Sequence, residues 1–326
     1  MLYIFTFITI VILIFINGFT DAPNAITTVV STGVLPFKRA AKISAVFNLI
    51  GIITMCLLSF KVANGISSIV ILKSGEVGQI ALLSSILACI AFSGVASLFG
   101  IPTSETHGLI AGLTGSAIVI GNFHNVNVIE WVNVILGLAW SVIGVLIIVK
   151  LMNSVLKNIL YKVDLTKIKR YQRWTSYGLS FMHGAQDGQK FIGLVILYVS
   201  IVKGIYQTSG NAIDYIWIII FVSIIMFFGV SIGGKKIVEN VGKNTVELDN
   251  VKGIISDLGT ILNLFLASLF GFPVSTTHVK TMSIISLAES KSNKENISKI
   301  FQAWICTFPV CFALSYFISK LLIEIL

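Results

Sequence analysis

The sequence predicts an all-α polytopic membrane protein: about ten crossings in two inverted repeats, with broken or re-entrant helices. Three observations carry that prediction. Apolar stretches recur along the whole chain, the basic residues fall between them on one side, and two short polar motifs each occur twice in order. Of the 326 residues, 56% are hydrophobic and only 11% charged, and the mean hydropathy is +0.94. A soluble domain carries roughly a quarter charged residues, so a soluble protein with one large core is a poor reading. The net charge of +9 would suggest nucleic acid in a soluble chain. Here the cations lie between apolar runs, and membrane orientation accounts for them without a nucleic-acid partner.

Taken along the chain, the crossings read as 2–35, 40–60, 77–99, 104–121, 129–150, 174–203, 214–234, 253–271, 274–289 and 299–325. Many reach the roughly 20 residues that span a bilayer. Met1 to Ile16 is apolar but lacks a basic start and a small-residue cleavage site, so it reads as part of the first crossing. Basic residues concentrate at Lys38, Arg39 and Lys42, at Lys150 to Arg173, at Lys235, Lys236, Lys243 and Lys252, and at Lys291, Lys294 and Lys299. With both termini outside, all of these face the cytoplasm, and only Lys61, Lys73 and Lys203 lie in outer loops. Cys56, Cys89, Cys306 and Cys311 lie in apolar runs without metal spacing and read as small buried hydrophobes.

The halves echo each other. Asn17-Gly-Phe-Thr-Asp21-Ala-Pro23-Asn24 returns as His183-Gly-Ala-Gln-Asp187-Gly-Gln-Lys190, and Phe99-Gly-Ile-Pro102-Thr-Ser104-Glu105-Thr106-His107 as Phe270-Gly-Phe-Pro273-Val-Ser275-Thr276-Thr277-His278. Five crossings per half make the second half enter with opposite orientation, the usual construction of a secondary transporter. The expected organisation is therefore a first repeat over 1–150, a basic cytoplasmic connector over 151–173 and a second repeat over 174–326. The connector either touches anionic lipid or is simply solvated.

Asp21 and Asp187 lie within apolar segments, where a charge costs roughly 2.5–3.5 kcal/mol on insertion scales and faces a cavity or a partner. Pro23 removes a backbone donor, and Gly18, Gly184 and Gly188 permit unusual dihedrals, so both motifs read as helix breaks. Free carbonyls beside a carboxylate suit a small hard cation, with Asp21 and Asn24 on one helical face. The plainer alternative is an aspartate that caps a helix or pairs with a lysine. The Pro-x-Ser-x-Thr-His elements read as helix starts, where hydroxyls cap and exposed N–H groups form an anion site. A tetrahedral oxyanion suits two such ends, with Ser104, Glu105, Thr106, Ser275, Thr276, Thr277 and Lys190 as its ligands. Lys190 and Lys280 are either ion-pair partners of Asp187 or Glu105, or reach the anion. His107 and His278 are interhelical hydrogen-bond partners or serve a proton-linked role.

These residues resemble the inorganic phosphate transporter (PiT) family, in its bacterial branch. That family carries a duplicated Gly-x-Asn-Asp-x-x-Asn-Ala signature, each copy followed by a Pro-x-Ser-x-Thr-His element. The departures are Thr20 and Gln186 before the aspartates and Lys190 in place of the second asparagine. The resemblance implies a multi-pass protein of a prokaryotic plasma membrane that imports inorganic phosphate with sodium or protons. Asp21, Asn24 and Asp187 would then hold the coupling cation, with no further cofactor. It also implies sulfate and metal–phosphate as alternative substrates and a PhoU-like accessory protein as a partner. A homodimer is a further expectation.

Two physical arguments bear on substrate. Hydrogen phosphate has a proton to donate and sulfate has none, so a carboxylate at the site favours phosphate. A site of Asp21, Asp187, Glu105, Lys190 and Lys280 has formal charge −1, so a phosphate dianion must enter with cations. An anion channel is the rival reading. An enzyme is disfavoured, because the serines stand at helix starts in both halves and no Gly-x-Gly-Asp pair or His-Glu-x-x-His occurs.

Overall fold

A computed structural model describes residues 1–205, 210–243, 246, 248–288 and 293–325. Lys291 lies outside the described residues. In chain order the helices are α1 (Leu2–Thr20), α2 (Pro23–Ser31), α3 (Phe37–Leu58), α4 (Lys61–Ser67), α5 (Glu76–Leu98), α6 (Glu105–Gly121) and α7 (Val128–Ala139). They continue as α8 (Val145–Leu160), α9 (Leu165–Lys203), α10 (Ile216–Ile232), α11 (Lys235–Lys243), α12 (Asn250–Phe270), α13 (Thr276–Ile285) and α14 (Lys294–Ile325). A π turn at Trp140–Gly144 joins α7 to α8. Among the described residues the β structure is one isolated bridge, Val70 to Val126.

Among the described residues, seven helical stretches are long and apolar enough to cross a membrane: Leu2–Ser31, Phe37–Leu58, Glu76–Leu98, Val128–Leu160, Ala212–Ile232, Asn250–Phe270 and Lys294–Ile325. The three remaining expected crossings, 104–121, 174–203 and 274–289, each carry a motif. At 1.5 Å per residue, α6 rises about 25 Å and α13 only about 15 Å, half a bilayer. The 39-residue α9 is long enough, but its middle holds His183, Gln186, Asp187, Gln189 and Lys190. The stretch 151–173 is helical apart from residues 161–164. Asp164 caps α9, and bonds from the Thr166 hydroxyl and N–H hold its carboxyl below the usual range.

One expectation is corrected. The first motif does interrupt its helix, between Thr20 and Pro23, but the second does not, because α9 runs unbroken through Asp187. Pro23 has no N–H to continue the ladder, whereas its counterpart Gln189 keeps one. The glycines serve packing instead. A Cβ at Gly184 would lie 2.2 Å from the Asn48 carbonyl oxygen, and one at Gly188 2.4 Å from the Ile52 side chain. Gly51 faces the Phe181 carbonyl as closely. Small residues thus let the α3 and α9 backbones touch, as they do between membrane helices.

The main apolar core joins α1, α3, α5, α9 and α10 through residues such as Ile10, Leu13, Ile52, Ile86, Ile192 and Met226. A second gathers α8, α12 and α13 with Trp304 of α14. Leu98, Trp217, Phe270, Ile305 and Phe317 point outward, as lipid-facing positions do. Cys56, Cys89 and Cys311 are buried, whereas Cys306 is exposed. The expectation of four buried cysteines fails there because Cys306 follows Ile305 on the outer face of α14.

Candidate functional site

Both Phe-Gly-x-Pro-x-Ser elements form the same local structure. Gly100 and Gly271 take the left-handed region (φ 68° and 86°) and end α5 and α12. A proline follows, and the serine then caps the next helix: Ser104 Oγ accepts from His107 N–H and Ser275 Oγ from His278 N–H, each at 3.2 Å. These are the expected helix starts. The two elements meet in space, since the His107 and His278 rings lie 4.9 Å apart and His278 stacks on Trp304 at 3.8 Å. Trp304 is itself tied down by donating to the Pro102 carbonyl at 2.9 Å.

The interruption after α1 brings Asp21 against the start of α13. Thr277 Oγ1 donates to Asp21 Oδ1 in a short contact, and Asn24 Nδ2 donates to the same oxygen at 3.0 Å and to Thr277 Oγ1 at 3.1 Å. Asp187 arrives from α9. Thr276 Oγ1 lies 3.2 Å from Asp21 Oδ2 and 3.1 Å from Asp187 Oδ2. One hydroxyl proton therefore stands between two carboxylates and can serve only one at a time. A third carboxylate, Glu105, accepts a short hydrogen bond from Thr20. Asp21, Glu105 and Asp187 are all buried, at 4% exposure or less.

Cations and histidine complete the cluster. Lys190 Nζ donates to Asp187 Oδ1 at 2.5 Å and to the Val274 carbonyl at 2.6 Å. His183 Nε2 lies 3.2 Å from Asp187 Oδ2, while its Nδ1 is 2.9 Å from Asn48 Nδ2. If Asn48 donates, the ring proton sits on Nε2 and faces the carboxylate. Ligand atoms of Asp21, His183 and Asp187 lie within 4.8 Å of one another, close enough to share one ion. Acceptors buried without a donor around this cluster include Asn17 Oδ1, Asn24 Oδ1 and Glu105 Oε2. Orphaned oxygens beside carboxylates are what a hard cation requires.

Beside Asp21 and Glu105 runs a crevice lined by Thr20, Ser93, Ser97, Thr103 and Ile237. Its free space of about 10 Å³ holds roughly one water. The amphipathic α11 covers it, with Ile237, Val238 and Val241 buried and Asn240 Nδ2 donating to the Gly100 carbonyl at 2.8 Å.

Of the expected site residues, Asp21, Asn24, Asp187, Lys190, Thr276 and Thr277 form one bonded network, with Glu105 beside them through Thr20. The hydroxyls of Ser104 and Ser275 act as caps, and Thr106 stands in the first turn of α6. Lys280 is elsewhere. It donates to Asp257 Oδ1 at 2.6 Å and to Ser256 Oγ at 2.9 Å. Asp257 also accepts from Thr28 at 2.8 Å and Thr175 at 3.0 Å. Glu105 and Asp187 are therefore not its partners, and the formal charge of Asp21, Glu105, Asp187 and Lys190 becomes −2 rather than −1. Sequence reasoning missed Asp257, though a carboxylate inside the apolar 253–271 run carries the same signal as Asp21. His183 has no histidine counterpart in the first half, where position 17 is an asparagine, and nothing in the sequence marked Asn48.

The sequence pattern of the phosphate transporter family matches residues 17–174 and again 162–315. The chain belongs to that family. A Bacillus subtilis relative is 31% identical over 319 residues, covering 94% of each chain. A Rhizobium meliloti relative is 28% identical, covering 94% of this chain and 93% of its own. Both are described as a "probable low-affinity inorganic phosphate transporter". A solved structure titled "The sodium-dependent phosphate transporter" superposes over the whole of both chains with a TM-score of 0.80 at 21% identity. It shares this fold. The family and these relatives are transporters, not enzymes.

Proposed function

We propose that the chain imports inorganic phosphate across a prokaryotic plasma membrane by cation symport, with sodium the favoured ion and protons the alternative. The observation that carries this is the buried cluster itself. Three carboxylates and one ammonium give a formal charge of −2, and a bound phosphate dianion would make it −4. Burying that uncompensated is prohibitive, so anion and cations must travel together. Asp21, Asn24 and Asp187 hold the cation, aided by the orphaned Asn24 Oδ1. The hydroxyls and helix N-termini of Ser104, Thr106, Ser275, Thr276 and Thr277 hold the phosphate, and Glu105 accepts its proton.

Alternating access follows from the same architecture. The crevice is too narrow for phosphate, so the elements around it must separate, and α6 and α13 are short helices whose capped starts face Asp21. We read them with α9 as the remaining crossings of a ten-crossing protein. Its inverted repeats would cover 1–150 and 174–326 and be joined by 151–173. The recurrent motifs and the two stretches of family match support the repeats. The sodium-dependent neighbour supports the ion. A second copy of the chain and a PhoU-like protein at the basic connector are the proposed partners.

Labelled phosphate uptake into liposomes tests this, under an inward sodium or proton gradient, with and without excess sulfate. Saturable uptake that follows the sodium gradient and ignores sulfate is expected. Proton-driven uptake would move the coupling to Glu105, His107 and His278. Entry of labelled sulfate alone would overturn the substrate, and uptake indifferent to both gradients would overturn symport.

A further inference from the structure

The two Asp-x-x motifs place different groups in one position. Three residues after Asp21 stands Asn24, and its amide reaches Asp21 Oδ1 at 3.0 Å. Three residues after Asp187 stands Lys190, and its ammonium reaches Asp187 Oδ1 at 2.5 Å. The contact is the same, but the second donor brings a full positive charge. The surroundings of that charge are oxygens. Val274 O lies 2.6 Å from Nζ, and Thr276 Oγ1 lies 3.1 and 3.3 Å from the two Asp187 oxygens. Distances of about 2.3–2.6 Å are those at which hard cations hold carboxylate and carbonyl ligands. Lys190 is 2% exposed and Asp187 1%, so bulk solvent screens neither charge and each must be balanced by its neighbours.

Asp21 has the complementary set. Its described partners are Asn24, Thr276 and Thr277, all neutral. Asn24 turns its Nδ2 to Asp21 and leaves Oδ1 buried without a donor, and a buried oxygen with no donor is a ligand open to a cation from outside. The chain therefore holds two oxygen clusters joined through the Thr276 hydroxyl, one with a covalently tethered cation and one without.

We infer that the Lys190 ammonium is the built-in occupant of a cation site formed by Asp187, the Val274 carbonyl and Thr276. The mobile coupling cation then binds on the Asp21 side alone, and each cycle carries one cation fewer than an amide at position 190 would allow. The inference rests on the reading of the two aspartates as cation carriers and narrows it: Asp187 carries the tethered ammonium, and Asp21 with Asn24 carries the mobile ion. It explains why a lysine can stand at the centre of a cation-binding cluster. Its charge replaces an ion instead of repelling one from the whole site.

The test is Lys190→Asn, which copies the Asp21–Asn24 arrangement into the second motif. Purified wild type and variant are melted across a sodium series at constant ionic strength, with choline as the replacement ion. Ligand that binds only the folded state stabilises it by mass action. The logarithmic slope of stability on sodium concentration should rise by about one ion in the variant. In liposomes the ratio of labelled sodium to labelled phosphate should also rise by about one. An unchanged slope would overturn the inference. A variant that folds in sodium but not in choline gives the expected result in another form. One that stays unfolded in every cation shows Lys190 to be a structural ion-pair partner and also overturns it. The melting arm needs no transport. If wild type moves no phosphate while the variant gains its sodium slope, the proposed function fails and the tethered cation stands.

Discussion

The two aspartate motifs share spacing and burial yet are built differently. Around Asp21 the helix stops at Thr20 and restarts at Pro23, and the carboxylate is met by hydroxyls and an amide. Around Asp187 the helix is continuous, and the carboxylate is met by an ammonium and an imidazole. A broken helix frees its backbone and can shift between arrangements, whereas a continuous helix locked to α3 by glycines is a fixed support. The difference teaches that a sequence repeat specifies where a carboxylate lies, while one proline decides whether its backbone can yield.

The largest effect expected is that of Asp187→Asn. It leaves the Lys190 charge buried without its partner, and breaking such a pair costs about 3–5 kcal/mol. Melting should fall accordingly and phosphate uptake should vanish. The double variant Asp187→Asn with Lys190→Met should recover much of the stability and none of the uptake. Normal transport by the single variant would remove Asp187 from the site.

Exchanging the prolines sharpens the comparison. Gln189→Pro puts a proline inside α9 and should destabilise by about 3 kcal/mol or more. Pro23→Ala at the start of α2 should change melting by less than about 1 kcal/mol while lowering uptake. Equal stability effects would show that both segments tolerate a break.

Packing comes next in size. Gly184→Ala should cost about 1–3 kcal/mol, because its Cβ would strike the Asn48 carbonyl and push α3 from α9. Gly94→Ala in α5 is the control: a Cβ there meets nothing within 4 Å and should be neutral or slightly stabilising. The smallest effect is at the caps. Ser275→Ala removes the acceptor for His278 N–H and should cost about 1 kcal/mol in denaturant melts. Ser104→Ala should match it if the two elements are equivalent.

Local chemistry was legible in the residues alone. Apolar length marked the membrane class, Gly-x-Pro-x-Ser marked two helix starts with their caps, and charge within apolar runs marked Asp21, Asp187 and Lys190. Each of these depends on neighbours within one turn or on the solvent a segment must enter. Other features were settled only by helices meeting. The partner of Lys280 is Asp257 on α12, and His183 joins the site because Asn48 of α3 lies against it. The glycines of the second motif are packing surfaces only because α3 crosses there. Side chains far apart in sequence meet according to how helices cross. A buried charge announces that it needs a partner, but the packing decides which one it gets.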